Sequence, residues 1–230
     1  MSDRSTESDQ LVTRKRLLEA AGEVFAEKGF KAATVRDICC KAGANVAAVN
    51  YHFGDKEKLY VAVLQLAQVC ARERYADGSS DMPGASAEHR LHTIVHTFLR
   101  RLLDEGRPAW QGKLMARELI DPTPALNTVV DQNIKREFEQ LGRIVQELSG
   151  GRLDAHNVRR CTASIIGQCL FYRHAAPVIQ RISPELKYDP AGIDYLADHV
   201  TQFSLAAIRH MRPVTPPDDM KQHKEEEVQS

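Results

Sequence analysis

The sequence predicts an all-α fold, and three observations carry that prediction. Nearly every readable segment repeats its apolar residues at steps of three and four, and no run alternates polar with apolar as a half-buried strand would. Glycines at 29, 43 and 54 sit where helices should stop. About nine helices are expected, in an N-terminal helix-turn-helix domain of three helices and a larger C-terminal helical domain.

The first helix runs from about Leu11 to Lys28, with Leu17, Leu18, Ala21, Val24 and Phe25 on one face and Gly29 as a left-handed cap. Residues 1–10 before it are expected as a disordered arm. Thr34 opens a short second helix: its hydroxyl can accept the N–H of Asp37 while Asp37 reaches back, the capping-box arrangement. That helix ends at Ala42, with Gly43 beyond it, and Asn45 caps a third helix. A connection of about three residues is too tight for antiparallel packing and suits a helix-turn-helix near perpendicular. Gly54 closes the third helix, and Asp55 caps a fourth that runs to about Tyr75.

The polar stretch ADGSSDMPGASAEH then breaks the pattern. Helices follow near Ala87–Leu103, where Leu91, Ile94, Val95, Phe98 and Leu102 recur, and from Ala109 to Leu119. Another follows DPTP, from about Ala125 to Leu148, and SGG ends it. Two long helices complete the fold, Asp154–Ala175 and Pro190–Met211, the latter with proline in a first turn where its missing N–H costs nothing. The division of roles expected is helix-turn-helix over 11–55, ligand binding and dimerisation over 56–211, and a disordered tail over 212–230.

Composition narrows the function classes. Lys plus Arg and Asp plus Glu are 31 each, so any electrostatic footprint is local rather than a basic coat or an acidic tail. No apolar run approaches the roughly 18 residues of a membrane span, and MSDRSTESDQ lacks the apolar centre of a signal peptide, so a soluble, cytoplasmic protein is expected. Five cysteines without a CxxC pair read as buried thiols, with a redox switch at Cys39 and Cys40 as the alternative, and not as a disulfide framework. There is no G-x-S-x-G, Walker loop or H-E-x-x-H, so neither an enzyme nor a cofactor is expected.

One stretch asks for a function. Between Asn45 and Phe53 there is no Lys, Arg, Asp or Glu. On a helix Val49 and Phe53 share the core face, which leaves Val46, Ala47, Asn50 and Tyr51 opposite. That is a poor solvent face and a good major-groove face: small side chains permit close approach, Ala and Val meet thymine methyls, and Asn pairs with adenine N6 and N7. Phosphate contacts are expected from Arg36, Lys56, Thr34, Tyr51 and His52, with Asn45 and Ala48 completing the candidate surface. The partner would be a double-stranded DNA operator with A·T pairs under the helix. An ordinary three-helix subdomain packed on something else satisfies the same spacing.

FAEKGF, then ATVRDI, then AGANVAAVNYHFGDKEKLY, together resemble the TetR family of bacterial transcriptional regulators. Gly43, His52, Phe53, Lys56 and Leu59 keep the family pattern, while Ala44-Asn45 replace its Val-Ser and Asn50 replaces its usual aromatic residue. Trp110 to Leu126, W-x4-MARELIDPTPAL, and the later GQCLFYRHA resemble the subgroup with a CecR-type C-terminal domain, which implies control of genes linked to drug sensitivity or efflux. The resemblance implies a repressor that a small molecule releases from DNA. It also implies an effector pocket among residues 87–148, for which Phe98, Trp110, Met115, Phe138 and Tyr172 are candidate lining residues and Arg117, Glu118 and Arg173 candidate polar ones. Plain core is the alternative for each aromatic, and solvation or ion pairing for Arg117 and Glu118.

A helix-turn-helix protein gains affinity by dimerising over a palindrome. Val158, Cys161, Ile165, Cys169 and Tyr172 form one stripe, with Ser164 and Gly167 on a neighbouring line; Ile193, Leu196, Val200, Phe203 and Ala207 form another. Two such helices per subunit would build a two-fold four-helix bundle, unless both stripes are internal core. A ligand that favours one tilt of the fourth helix would change the separation of the two DNA-reading heads. Two further readings stand beside this one: a metal site at His89, His92 and His96 near Glu88, and a helical ligand-binding or protein-docking module without specific DNA binding.

Overall fold

The computed structural model describes residues 3–75, 84–104, 106 and 108–212. Its helices are α1 (Asp3–Ala32), α2 (Val35–Ala42), α3 (Val46–Phe53), α4 (Lys56–Arg74), α5 (Ala87–Leu103), α6 (Ala109–Ile120), α7 (Ala125–Val129), a π-helical turn (Val130–Ile134), α8 (Lys135–Leu148), α9 (Ala155–His174), α10 (Ala176–Ile182) and α11 (Pro190–His210). Among the described residues no strand occurs, so the all-α class holds.

Two compact units form, Met1–Ala76 with Glu105–Arg136 and Asp77–Asp104 with Glu137–Ser230. In the first, α1 packs on α2, α4 and α6, α3 lies against α2 and α4, and α7 joins α4. Its core takes Leu17, Ala21, Val24 and Phe25 from α1, Ile38 from α2, Val49 from α3, Leu59, Tyr60, Val63 and Leu64 from α4, and Leu114 from α6. Leu17, Ala21, Val24, Phe25 and Val49 are the ones whose three- and four-step spacing marked their helices, and each fully buried Leu or Phe contributes roughly 1.5–3 kcal/mol. In the second unit α5 packs along α11 and both lie against α9, with Leu91, Val95, Leu99, Ile144, Ile165, Leu196 and Val200 in the core. Packing thus places α6 and α7 with the helix-turn-helix, a different division from the expected change of role at residue 55.

Several expectations need correcting. Residues 3–10, expected as a disordered arm, are helical, and no Gly or Pro interrupts the chain before Gly22. Gly29 breaks α1 with φ 79° and ψ 166°, an extended backbone open only to glycine and not the left-handed cap, and one short helical turn follows to Ala32. Gly43 does adopt the left-handed cap, φ 59° and ψ 41°. The helix expected over 125–148 carries the π turn, which no spacing signals. Counting that run as one helix, the described residues hold one more than expected; the added one is α10, at seven residues too short for a periodicity window. Residues 1–2, 76–83 of the polar loop and 213–230 of the tail lie outside the described residues.

Candidate nucleic-acid interface

The starts of α2 and α3 are fixed by their own polar residues. Thr34 Oγ1 accepts the Asp37 N–H at 3.1 Å, Asp37 Oδ2 accepts the Thr34 N–H at 3.1 Å, and the Thr34 hydroxyl donates to Asp37 at 2.8 Å. These bonds, with Lys28 at 3.0 Å, hold the Asp37 carboxyl below the usual carboxylate range. Asn45 caps α3 by accepting the Ala47 N–H at 2.9 Å. Thr34 and Asn45, named above for phosphate or base contact, therefore spend side-chain bonds on the helix termini.

The α3 helix divides as its spacing demands. Val49 is fully buried and Phe53 nearly so, while Val46 is 45% and Tyr51 70% exposed, and Ala47 and Asn50 are exposed with them. Ala48 is half-buried against the core. The rings of Tyr51 and His52 meet edge to face at 5.0 Å. Between α3 and the start of α1 lies a shallow concavity of about 380 Å³ lined by Thr13, Ala47, Ala48, Tyr51 and His52, with Asp9 and Gln10 at its rim. Arg36 on α2 is exposed.

Lys56 points elsewhere than expected. Its ammonium donates to the carbonyls of Phe30 at 3.0 Å and Ala33 at 3.1 Å and lies 4.5 Å from the Phe30 ring centroid, so two of its three donors tie α4 to the end of α1. Two cations on α1 escaped the sequence reading. Arg14 stacks 5.2 Å over Phe53, and Arg16 donates to the Ala42 carbonyl at the end of α2. Both are exposed on α1 and reach the helix-turn-helix from the first helix, a proximity that only the fold supplies.

A partly exposed, uncharged helix face held by two capped turns is the frame of a DNA reader, and comparison with known proteins decides its kind. Residues 17–63 match the family model of the bacterial regulatory proteins, tetR family, and residues 87–208 match the model of the C-terminal domain of the HTH-type transcriptional dual regulator CecR. The chain is 30% identical over 170 residues to CecR of Shigella flexneri, covering 70% of this chain and 75% of that one. It belongs to the TetR family. A shorter match, 45% over 51 residues, is to the transcriptional repressor AcnR of Corynebacterium efficiens, covering 22% of this chain and 27% of that one. The fold is shared with a tetR-family regulatory protein from Rhodococcus RHA1, TM-score 0.64 at 21% identity over 85% of this chain and 96% of that one. It is shared also with AibR, solved with isovaleryl coenzyme A and operator DNA, TM-score 0.61 at 15% identity over 83% and 97%.

In this TetR-family chain the effector candidates divide between the two units. Trp110 is buried and Met115 partly buried in the first core. Glu118 is fully buried, where it accepts the Tyr60 hydroxyl at 2.6 Å and the Thr123 N–H and hydroxyl at 2.7 and 2.8 Å; it is bonded, not solvated. Arg117 alone of the four lines an open cleft. In the second unit Phe98 is partly buried with Arg101 5.6 Å over its ring, Phe138 is half-buried, Tyr172 packs at the edge of the core and Arg173 is exposed.

The stripes proposed for the dimer prove to be the inner faces of their helices. Cys161, Ile165, Cys169, Leu196 and Val200 are buried within the second unit, with Tyr172 and Ala207 at its margin. Burial raises the thiol of Cys169 to about 12, which leaves it unreactive. Only Phe203, 59% exposed, faces outward, together with Phe171 and Tyr195, which the sequence reading passed over. Ser164 and Gly167 lie on the same open side of α9 as Phe171.

The histidines on α5 are likewise accounted for. His92 Nε2 lies 3.0 Å from Asp198 Oδ1 and His96 Nε2 2.8 Å from Asp194 Oδ1, both across to α11, with the two rings stacked at 6.0 Å. No group of three His, Cys, Asp or Glu among the described residues is arranged to hold a metal ion. Nor is any described helix long and apolar enough to cross a membrane.

Proposed function

We propose that this chain is a repressor that binds a palindromic operator as a homodimer and is released from it by a small molecule. The observation that carries the reading is the division of α3, with Val49 and Phe53 inside and Val46, Ala47, Asn50 and Tyr51 presented outward without a charge. Asn50 is the base-reading side chain, best suited to adenine, and Val46 and Ala47 pack on thymine methyls. Arg36, Tyr51 and His52 hold the phosphates.

The second copy is favoured by the outward aromatics of α9 and α11. Phe171 on α9 and Tyr195 and Phe203 on α11 are 58%, 67% and 59% exposed, and the exposed Ser164 and Gly167 let a partner helix approach α9. A two-fold pair doubles the bases read and sets the half-site spacing. Release follows if a ligand shifts the tilt of α4, because Tyr60 ties α4 to α6 and a few ångströms at the reading head misplace the second half-site. We extend the proposal, as the subgroup resemblance of the sequence implies, to genes of drug sensitivity or efflux.

Selection of genomic fragments by the purified protein, with affinity followed against salt, tests this. A palindromic winner with half-sites a helical turn or more apart, weakened by salt, is the expected result, and its neighbouring genes name the regulon. Enrichment of no sequence, with or without candidate ligands, would remove the operator-binding reading.

A further inference from the structure

The first unit holds a second concave feature, away from α3. A cleft of about 490 Å³ opens between the end of α1, the start of α4 and α6, lined by Lys28, Phe30, Tyr60, Lys113, Arg117 and Ile120 among others. Its volume falls within the roughly 300–1,000 Å³ of small-molecule pockets. Its chemistry is lopsided: four cations, Lys28, Lys31, Lys113 and Arg117, border it, against the single carboxylate of Asp121.

The acceptors nearby are already engaged. Asp121 is paired with Lys31 at 3.4 Å, Lys28 with Asp37 at 3.0 Å, and buried Glu118 is taken by Tyr60 and Thr123. Arg117 and Lys113 form no ion pair among the described residues. Arg117 is half-buried and drawn over the break in α1, where a Cβ on Gly29 would stand 2.5 Å from its Nη1. The glycine that breaks the helix thus leaves the room in which the guanidinium lies. Beside these cations the wall is apolar: the ring of Phe30, packed at a tilt 4.9 Å from that of Tyr60, the methyl groups of Ala32 and Ala116, and Ile120, which is 80% exposed.

A half-buried guanidinium with no acid partner, a second free cation on the same helix and an apolar wall match one class of ligand, an anionic head on a short hydrocarbon body. We propose that this cleft is a binding site for a small amphipathic anion, with Arg117 and Lys113 on the charged head and Phe30 and Ile120 against the apolar body. The site is distinct from the α3 face, and binding to it does not depend on DNA. It supplies the chemical class of the releasing ligand only through the regulator reading, on which that consequence rests. Its reach to the reading head is short: Phe30 is also the residue whose ring and carbonyl hold Lys56 at the start of α4.

Calorimetric titration of the full chain with sodium octanoate, in the absence of DNA, tests the site, with inorganic phosphate as the tail-less comparison. Saturable octanoate binding at one site per chain is expected, weakened roughly tenfold or more by Arg117→Gln with Lys113→Gln, since each removes a charge-assisted bond. Ile120→Asp, at an exposed position that folding does not need, should weaken it as well. Arg173→Gln, exposed in the other unit, should leave it unchanged. No octanoate binding, binding indifferent to these substitutions in the cleft, or phosphate bound as tightly as octanoate overturns the proposal. Operator binding is measured separately. A protein that takes octanoate but no DNA keeps the site and loses the regulator reading, and one that binds DNA but no octanoate does the reverse.

Discussion

Tyr60 on α4 donates its hydroxyl proton to Glu118 on α6 at 2.6 Å, with the tyrosine 2% exposed and the glutamate not at all. The other carboxylate oxygen takes the N–H and hydroxyl of Thr123, so a single buried side chain joins α4, α6 and the turn into α7. Tyr60→Phe should therefore cost about 1–3 kcal/mol, the range for leaving one partner of a buried hydrogen bond unsatisfied. Glu118→Leu should cost more, because the Thr123 N–H and the Tyr60 hydroxyl both lose their acceptor. Urea unfolding checks the order; equal stability of all three proteins would show that the bond holds nothing together.

The same bond has a signature in alkali. Burial, and then the hydrogen bond to Glu118, push the Tyr60 phenol well above the ordinary tyrosine range. An unfolded tyrosine releases its proton near about pH 10, whereas the folded one keeps it, so the native state binds more protons above that point. The stabilisation is complete below about pH 10 and is lost as pH rises past it. Tyr60→Phe should flatten the alkaline limb of stability measured by urea midpoints from pH 7 to 11. A residual slope should persist, since burial also raises the phenols of Tyr172 and Tyr188.

Gly22 and Trp110 show a second close fit in the same unit. A Cβ on Gly22 would lie 2.6 Å from Trp110 Cε3 and 2.7 Å from Cδ2, so the indole lies on bare backbone of α1. Gly22→Ala adds up to about 1 kcal/mol of helix propensity but forces the indole away, and overpacking typically costs about 1–3 kcal/mol. Net destabilisation is expected, relieved when Trp110→Leu is made in the same chain. A double-mutant cycle measures it, and additive effects would mean the two residues do not touch.

How far the sequence could be read depends on how local each signal is. The capping box of Thr34 and Asp37, the cap of Asn45 and the inward pair Val49 and Phe53 are set within one turn of helix, and spacing alone was enough to see them. Which side of a long apolar stripe faces a partner is not local. Cys161, Ile165, Cys169, Leu196 and Val200 are regular enough to be an interface and are core, because the helices that cover them, α5 and α8, come from elsewhere in the chain. Lys56 belongs with these: its charge suggested phosphate, and only the fold brings the Phe30 and Ala33 carbonyls within reach of it. The exposed aromatics Phe171 and Tyr195 had no signal, as a lone aromatic residue is as common in cores as on faces that bind.

The reading head separates three kinds of contact. Asn50→Ala should cost roughly 1–3 kcal/mol at one base position and relax preference there, whereas Arg36→Ala should weaken all sequences alike and reduce the salt slope by about one. Lys56→Met should instead lower the melting temperature without DNA, by removing the clamp on the Phe30 and Ala33 carbonyls. Melting curves and salt-dependent affinities on the selected operator distinguish them. A Lys56→Met protein of unchanged stability but reduced salt slope would return that lysine to the phosphate role.

Phe203 gives the sharpest test of the dimer, because it alone of the predicted interface residues is exposed. A charge placed on a 59% exposed side chain leaves the protomer core intact, so Phe203→Glu should fold. If α9 and α11 meet their copies through this face, two carboxylates then confront an apolar partner near the two-fold axis, and burying either without a partner is strongly unfavourable. Sedimentation should show monomers, and operator affinity should fall because the second half-site is no longer reached. Ile165→Ala is the contrasting change: buried among the residues of its own unit, it should cost about 2–5 kcal/mol of unfolding free energy while the folded protein stays dimeric. A Phe203→Glu protein that still sediments as a dimer, beside an Ile165→Ala protein that dissociates, would put the interface on the inner stripe and overturn the outward face.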